Sequence, residues 1–130
     1  MQKLKIGITI GDINGIGPEV IIKALSDQSI LKACVPVIYG SSKVMAYHKN
    51  IVKSGDFSFS SSYSIDKLSY NKINVLNSWE DTVNINLGTI TEEGGRYALL
   101  ALDKAVQDAK EGKLDALVTA PINKLSLIHI

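Results

Sequence analysis

Nine residues, Gly11-Asp12-Ile13-Asn14-Gly15-Ile16-Gly17-Pro18-Glu19, bring carboxylates, an amide and three glycines into one short stretch. Glycine accepts a positive φ and lets a ligand approach the backbone closely, so this grouping suits the mouth of a cleft. Pro18 fits the first turn of a helix, where its missing N–H would have had no intrahelical partner. A second polar bend, Thr119-Ala120-Pro121-Ile122-Asn123-Lys124, lies a hundred residues further on. Lys124 there could neutralise a phosphate or carboxylate as a compact point charge, or could simply be a solvated turn lysine. Gly94-Gly95-Arg96 could also cradle an anion, although two flexible residues before a helix settles are the simpler reading. For both bends the plain alternative is an ordinary turn, with Asn14 and Asn123 tolerating left-handed backbone.

Other site chemistries find no support in the motifs. A GxGxxG pattern begun at Gly15 fails at Val20, so the usual dinucleotide fingerprint is absent. There is no GxxxxGK[ST] to hold phosphate and no GxSxG nucleophile turn. The chain has two histidines; His48 falls within an expected helix as a packed or surface residue rather than a ligand, and His129 belongs to the C-terminal tail.

The elements that must position the two bends follow from periodicity. Residues 3–10, with isoleucines at alternate positions, read as a strand buried on both faces. Val20, Ile21, Ala24 and Leu25 give the apolar face of a helix over about 17–26. Residues 35–39 read as a second strand, with Pro36 placing its start at an edge or entry position. Ser41 and Ser42 open a helix to about Val52, with Val44, Met45, Tyr47, His48, Ile51 and Val52 on its apolar face and Gly55 as its C-cap. Residues 56–72 are serine-rich and read largely as surface loop, although Phe57-Ser58-Phe59 alternates like a strand. Residues 73–76 form a strand, 79–88 are irregular, and 84–87 could be a short edge strand.

The strongest helical pattern runs from about Glu92 to Lys110, capped by Thr89 or Thr91 and stopped by Gly112. Its expected buried stripe is Ala98, Leu99, Leu102, Ala105, Val106 and Ala109, with Arg96, Asp103, Lys104 and Lys110 facing out. Residues 115–119 then read as another buried strand. Strands alternating with helices in this order predict a layered α/β fold with right-handed crossovers and a largely parallel sheet. Ligands in such folds sit beyond the carboxyl ends of the strands, where both polar bends fall.

Composition narrows the partners. The 130 residues are 45% hydrophobic and 21% charged, with a formal net charge of +1, which suits one ordinary domain. That balance gives no electrostatic reason to expect nucleic acid or an anionic membrane as partner. The lone Cys34 cannot form an internal disulfide and reads as a small buried hydrophobe, which points to a reducing cytoplasm. No apolar run approaches the ~20 residues of a membrane-spanning helix or forms a signal-peptide core.

The two bends together resemble the 4-hydroxythreonine-4-phosphate dehydrogenase family of vitamin B6 biosynthesis, whose corresponding loops read GDPAGIGPE and TAPINK or TGPVHK. Ile13 and Asn14 stand where that family has Pro and Ala, which alters the stiffness of the turn and leaves Asp12, the glycines and Glu19 in place. The segment Glu93-Gly94-Gly95-Arg96-Tyr97 is similar to a glycine-containing segment of the family. The resemblance covers residues 1–124, and isocitrate and isopropylmalate dehydrogenases, with GDGIGPE, are more distantly similar. It implies a three-layer α/β/α fold of the isocitrate/isopropylmalate dehydrogenase type, incomplete in this chain. It further implies NAD- or NADP-dependent oxidation of 4-phosphooxy-threonine at its 3-hydroxyl, giving a β-keto acid that readily loses CO2. A divalent metal would act as Lewis acid on that oxygen, the nucleotide would lie in a cleft between two subdomains, and the enzyme would be a homodimer.

Carried onto this chain, the resemblance makes Asp12, Asn14, Gly15, Gly17 and Glu19 cleft-lining, with Thr119, Asn123 and Lys124 near substrate or cofactor. The family enzymes are at least about twice as long, and their metal-binding histidines and substrate-binding His-Thr pair lie beyond the second bend. The catalytic and metal-ligating residues are therefore expected outside these 130, and residues 125–130 resemble translated cloning sequence rather than enzyme. The chain alone is expected to lack metal binding and turnover, and its exposed apolar sheet edges to limit solubility. Two other readings stay open: a sister dehydrogenase of phosphorylated sugar acids such as 4-phospho-threonate or -erythronate, and a non-catalytic anion-binding domain.

Overall fold

Isoleucines alternating with Gly7 and Thr9 make Leu4–Thr9 a strand, β1, in a computed structural model that describes residues 3–52 and 57–128. Gly55, expected as a C-cap, and His129 lie outside the described residues. After the glycine turn, Pro18 starts helix α1, Gly17–Leu25. A single helical turn, α2 (Ile30–Ala33), then leads directly into β2, Cys34–Gly40. Helix α3 covers Ser42–Val52, β3 Phe59–Ser62 and β4 Ile73–Asn77. The long helix α4 spans Glu92–Lys110, β5 spans Ala116–Thr119, and α5 covers Lys124–Ile128.

All strand pairs are parallel, in the order β3-β4-β2-β1-β5. From β1 the chain steps to β2 and on to β3 at the far edge, turns back to place β4 between them, then crosses the sheet to β5 on the other side of β1. Right-handed crossovers put helices on opposite faces when the direction reverses, so α1 and α3 share one face and α4 takes the other. The contacts agree: α1 packs on α3, and α4 packs on β1, β2, β5 and α5. This is the expected three-layer α/β/α arrangement, and the reversal makes the crevice between β1 and β5 its topological switch point.

Several local expectations are corrected by the packing. Pro36 lies not at an edge but in β2, the central strand. It is tolerated because pairing with β4 begins one residue later, at Val37. The Asn74 amide occupies the gap, donating to the carbonyls of Ser69 (2.9 Å), Lys72 (3.1 Å) and Pro36 (3.5 Å). β1 is not buried on both faces throughout, since Leu4 is exposed and Ile6 and Ile8 are partly so. Likewise β5 is an exposed edge, not a buried strand: among the described residues its one strand neighbour is β1.

The serine-rich stretch is more ordered than its composition suggests, because β3 pairs with β4 and Phe57 is fully buried. Residues 84–87 form no strand. On α1 the buried face is Pro18, Ile21, Ile22 and Leu25, while Val20 and Ala24 are exposed. On α3, Val44, Met45 and His48 are buried, and Tyr47 and Ile51 face out. The buried stripe of α4 is rotated toward Gly94, Tyr97, Ala98, Ala101, Ala105 and Asp108, which leaves Leu99 exposed and Leu102, Val106 and Ala109 half-buried. Small residues at 94, 98, 101 and 105 let this helix lie close to the sheet.

Asp108 is the polar exception on that stripe. Its Oδ2 accepts a 2.7 Å hydrogen bond from the hydroxyl of Tyr39, a fully buried residue of β2. Burial first, and then the neighbouring carboxylate, push the Tyr39 phenol far above its usual range, so it remains a donor. Tyr39→Phe would leave the Asp108 carboxylate buried without this donor, a loss of about 1–3 kcal/mol. Urea unfolding of the variant measures it, and an unchanged midpoint would contradict the account.

Candidate functional site

The glycine turn leaves the carboxyl end of β1 with Gly11 at φ 75°, a left-handed conformation that favours glycine. At Gly11 a Cβ would run into the Pro121 carbonyl, so the two bends touch backbone to backbone only because no side chain intervenes. The contact is closed by a 3.1 Å hydrogen bond from the Asp12 N–H to the Pro121 carbonyl. Gly17 allows a second close approach, since a Cβ there would lie 2.5 Å from the Ile10 carbonyl and 3.3 Å from the Ala120 methyl. Residues far apart in sequence thus meet at the β1/β5 switch point.

Asp12 is 7% exposed, and its Oδ1 accepts from the Asn14 N–H at 3.0 Å, closing an Asx turn that presets the loop. Asn14, standing where the resembled motif has alanine, is 2% exposed. Its Nδ2 donates to Thr91 Oγ1 (2.9 Å), while its Oδ1 accepts from the Asn86 N–H (2.8 Å). The Asn14 carbonyl also accepts from the Gly88 N–H at 2.8 Å. Thr91, the N-cap of α4, receives the Gly94 N–H on the same hydroxyl oxygen at 2.9 Å. Of the two caps left open by the sequence, Thr91 is therefore the one used.

Gly94 and Gly95 are not loose residues before the helix; both are buried within α4. A Cβ on Gly94 would lie 2.9 Å from Asp12 Oδ1 and 3.1 Å from both Asn14 Nδ2 and Thr91 Oγ1. The missing side chain is what lets the start of α4 press against the Asp12 carboxylate. His48 supports the turn from the opposite layer, with Nε2 2.9 Å from the Ile13 carbonyl. A carbonyl only accepts, so Nε2 carries the proton. His48 is buried, as a packed-residue reading expected, and its sequence position carried no sign of this bond across 35 residues.

The remaining expected residues are placed unevenly. Gly15 is half-buried in the turn, and its N–H donates to the Asp12 carbonyl at 3.0 Å. Glu19 turns to the outer face of α1 and pairs with Lys23 at 3.2 Å. Thr119 is exposed at the end of β5. Asn123 is drawn into α5, its Oδ1 accepting from the Leu125 N–H at 3.0 Å, and Lys124 begins that helix, exposed. The N-cap of α1, Ile16, makes no side-chain cap hydrogen bond; an uncapped helix start leaves first-turn amides able to meet an anion. Thr91, Asn86 and His48 are additions that residue typing did not assign to the site, and of these only Thr91 carried a signal, as a helix cap; Gly94, weighed as part of an anion cradle, instead packs on Asp12.

Among the described residues no three His, Cys, Asp or Glu side chains converge as a metal site requires. Cys34 is half-buried, and burial pushes its thiol up, as for an inert hydrophobe. No helix among the described residues is long and apolar enough to cross a membrane.

Comparison with known proteins matches residues 32–129 to the family model of the pyridoxal phosphate biosynthetic protein PdxA. A Bacteroides thetaiotaomicron 4-hydroxythreonine-4-phosphate dehydrogenase is 44% identical over 123 residues, covering 95% of this chain and 34% of that protein. A Clostridium botulinum protein, named provisionally as a D-threonate 4-phosphate dehydrogenase, is 34% identical over 94% of the chain and 37% of its own length. The crystal structure of a 4-hydroxythreonine-4-phosphate dehydrogenase from Burkholderia phymatum superposes with a TM-score of 0.87 at 28% identity, over 99% of this chain and 39% of that one. The chain thus spans little more than a third of the length of these relatives.

Two outcomes test the geometry of the turn. Gly94→Ala should destabilise the fold by about 1–3 kcal/mol through overpacking on Asp12, reversing the ~1 kcal/mol that alanine ordinarily adds to a helix; urea unfolding gives the sign. Burial holds His48 below its usual 6.5, with the Ile13 carbonyl and the Glu19 charge opposing the shift. Below 6.5 the unfolded chain therefore binds the additional proton, and stability falls as pH falls until the native imidazole also titrates. His48→Gln keeps an N–H donor and should flatten that slope in melting temperatures taken from about pH 7 to about pH 5.

Proposed function

This chain belongs to the PdxA family of pyridoxal phosphate biosynthetic proteins, and from that premise we propose that it is the amino-terminal part of an oxidoreductase acting on 4-phosphooxy-L-threonine. The reaction removes a hydride from C3 and the proton of the 3-hydroxyl, reducing NAD or NADP and leaving a β-keto acid prone to lose CO2. The observation that carries this reading is the 3.1 Å hydrogen bond from Asp12 to Pro121, which joins both polar bends at one rim of the sheet. A rim at a topological switch point is where α/β folds bind small ligands.

In this reading the chain's own residues bind and orient. Gly11, Gly15 and Gly17 let a phosphorylated ligand lie against backbone, and the uncapped start of α1 supplies amide donors to its anionic oxygens. Asp12, held by its Asx turn, offers a fixed acceptor to a hydroxyl or amide of the bound molecule. Thr119 and Lys124 line the β5 side, Lys124 as counter-charge to the phosphate. Asn123 acts by starting the helix that carries Lys124, and Glu19, paired with Lys23, by its charge at the edge of the turn.

The nicotinamide cofactor accepts the hydride when bound. The divalent ion implied by the resemblance would take its ligands from residues outside these 130 and would act as a Lewis acid on the 3-hydroxyl. We place the enzyme in the cytoplasm as a homodimer, with residues 1–124 as the native dehydrogenase portion and 125–130 as a non-native tail.

The Clostridium botulinum relative favours one second reading, oxidation of D-threonate 4-phosphate. Assaying the protein expressed from its complete coding sequence against both phosphoesters, with NAD and NADP, separates the two. The expected outcome is a kcat/KM for 4-phosphooxy-L-threonine about tenfold or more above that for the threonate ester. The reverse ratio would favour the sister enzyme, and cofactor reduction with neither ester would end the dehydrogenase reading.

A further inference from the structure

Residues 78–91 carry no regular structure, yet they lie between the carboxyl end of β4 and the start of α4, over the same end of the sheet as the glycine turn. An irregular segment of this length in a small domain usually serves a site. Its anchors are few and specific. Trp79 packs against Tyr97 with ring centroids 4.6 Å apart and planes tilted by 45°, and the Tyr97 hydroxyl donates to Asp81 at 3.3 Å. The Asn84 N–H donates to Glu93 Oε1 at 3.1 Å, an exposed contact. The buried anchor is Asn14, which takes the N–H groups of Asn86 and Gly88 and donates to Thr91. One side chain and its own carbonyl thus hold three points of the segment against the turn.

We propose that Asn14 is a positioning residue: it docks residues 84–91 onto the glycine turn and thereby shapes the wall facing Asp12 and Gly15, without touching ligand itself. The proposal rests on the turn being the ligand site. Asn14 is 2% exposed, and each of its polar atoms is bonded within the fold: its backbone N–H to Asp12 Oδ1, its carbonyl to the Gly88 N–H, Nδ2 to Thr91 Oγ1 and Oδ1 to the Asn86 N–H. Thr91 shares its oxygen between Asn14 and the Gly94 N–H, so the same clamp sets where α4 begins. Loss of the Asn14 amide therefore frees the segment while leaving strand pairing and the Asp12–Pro121 contact in place.

The test is amide hydrogen exchange on the wild-type protein and on Asn14→Ala, with β2 and β4 as internal reference. Exchange over residues 84–91 should quicken about tenfold or more while the two strands stay unchanged. Thr91→Ala, which removes the clamp from its far end, should give the same localised pattern. In the protein expressed from its complete coding sequence, Asn14→Ala should lower kcat/KM for the phosphorylated substrate mainly through KM. Unchanged exchange at 84–91, a uniform loss of protection or failure to fold would overturn the proposal, as would faster exchange with KM unmoved. If the wild-type protein turns over no substrate, the dehydrogenase reading falls, and the exchange pattern alone decides the role of Asn14.

Discussion

Parallel pairing of β5 beside β1 is the constraint on which the site depends, because it alone brings residues 120–124 to the glycine turn. The register from Ile6↔Ala116 to Thr9↔Thr119 ends both strands at the same level. Beyond that level the chains leave for opposite faces, one into α1 and the other toward α5. A gap between diverging chains would ordinarily expose unpaired backbone. Here it is closed by one hydrogen bond, made possible by a glycine that carries no side chain at the point of contact. The cost of a left-handed residue at Gly11 is small, and the gain is a fixed distance between two polar segments.

Around that contact the polar groups are satisfied by one another. Asp12, Asn14, Thr91 and Gly94 form a compact network at the meeting of the glycine turn and the long helix, while His48 holds the turn from the other layer. Buried polar networks are stable when every member finds a partner. Asn14 and Thr91 each use their side-chain oxygen and neighbouring backbone in this way, which fixes the loop. The turn is consequently a preformed feature of the fold.

Element positions were legible because local signals agree: Pro18 opens α1, Thr91 caps α4, and Gly112, at φ 75°, follows its end. Both polar bends were legible too, as residue types out of keeping with plain turns. Burial faces were less so. Val20, Ala24 and Leu99 have the right spacing for a core, but which side of a helix is covered depends on the neighbouring layer, which periodicity does not specify. Pro36 misled for a related reason: its local meaning is an edge, and only the offset start of pairing with β4 and the Asn74 amide make it admissible at the centre. The roles of Asn14, His48 and Asp108 rest on partners 35 to 77 residues away, and no local pattern encodes them.

The open edge of β5 has a thermodynamic consequence. Its outer backbone donors and acceptors form a template, and any strand that adds there stiffens the stretch ending at Thr119 and hence the far bank of the crevice. Under the proposed function, sheet extension and occupancy of the crevice would be linked equilibria: whatever factor one adds to the other's affinity is returned in equal measure. Completion of the sheet and grip on the proposed small molecule would then be two readings of a single free energy, exchanged across four residues of strand.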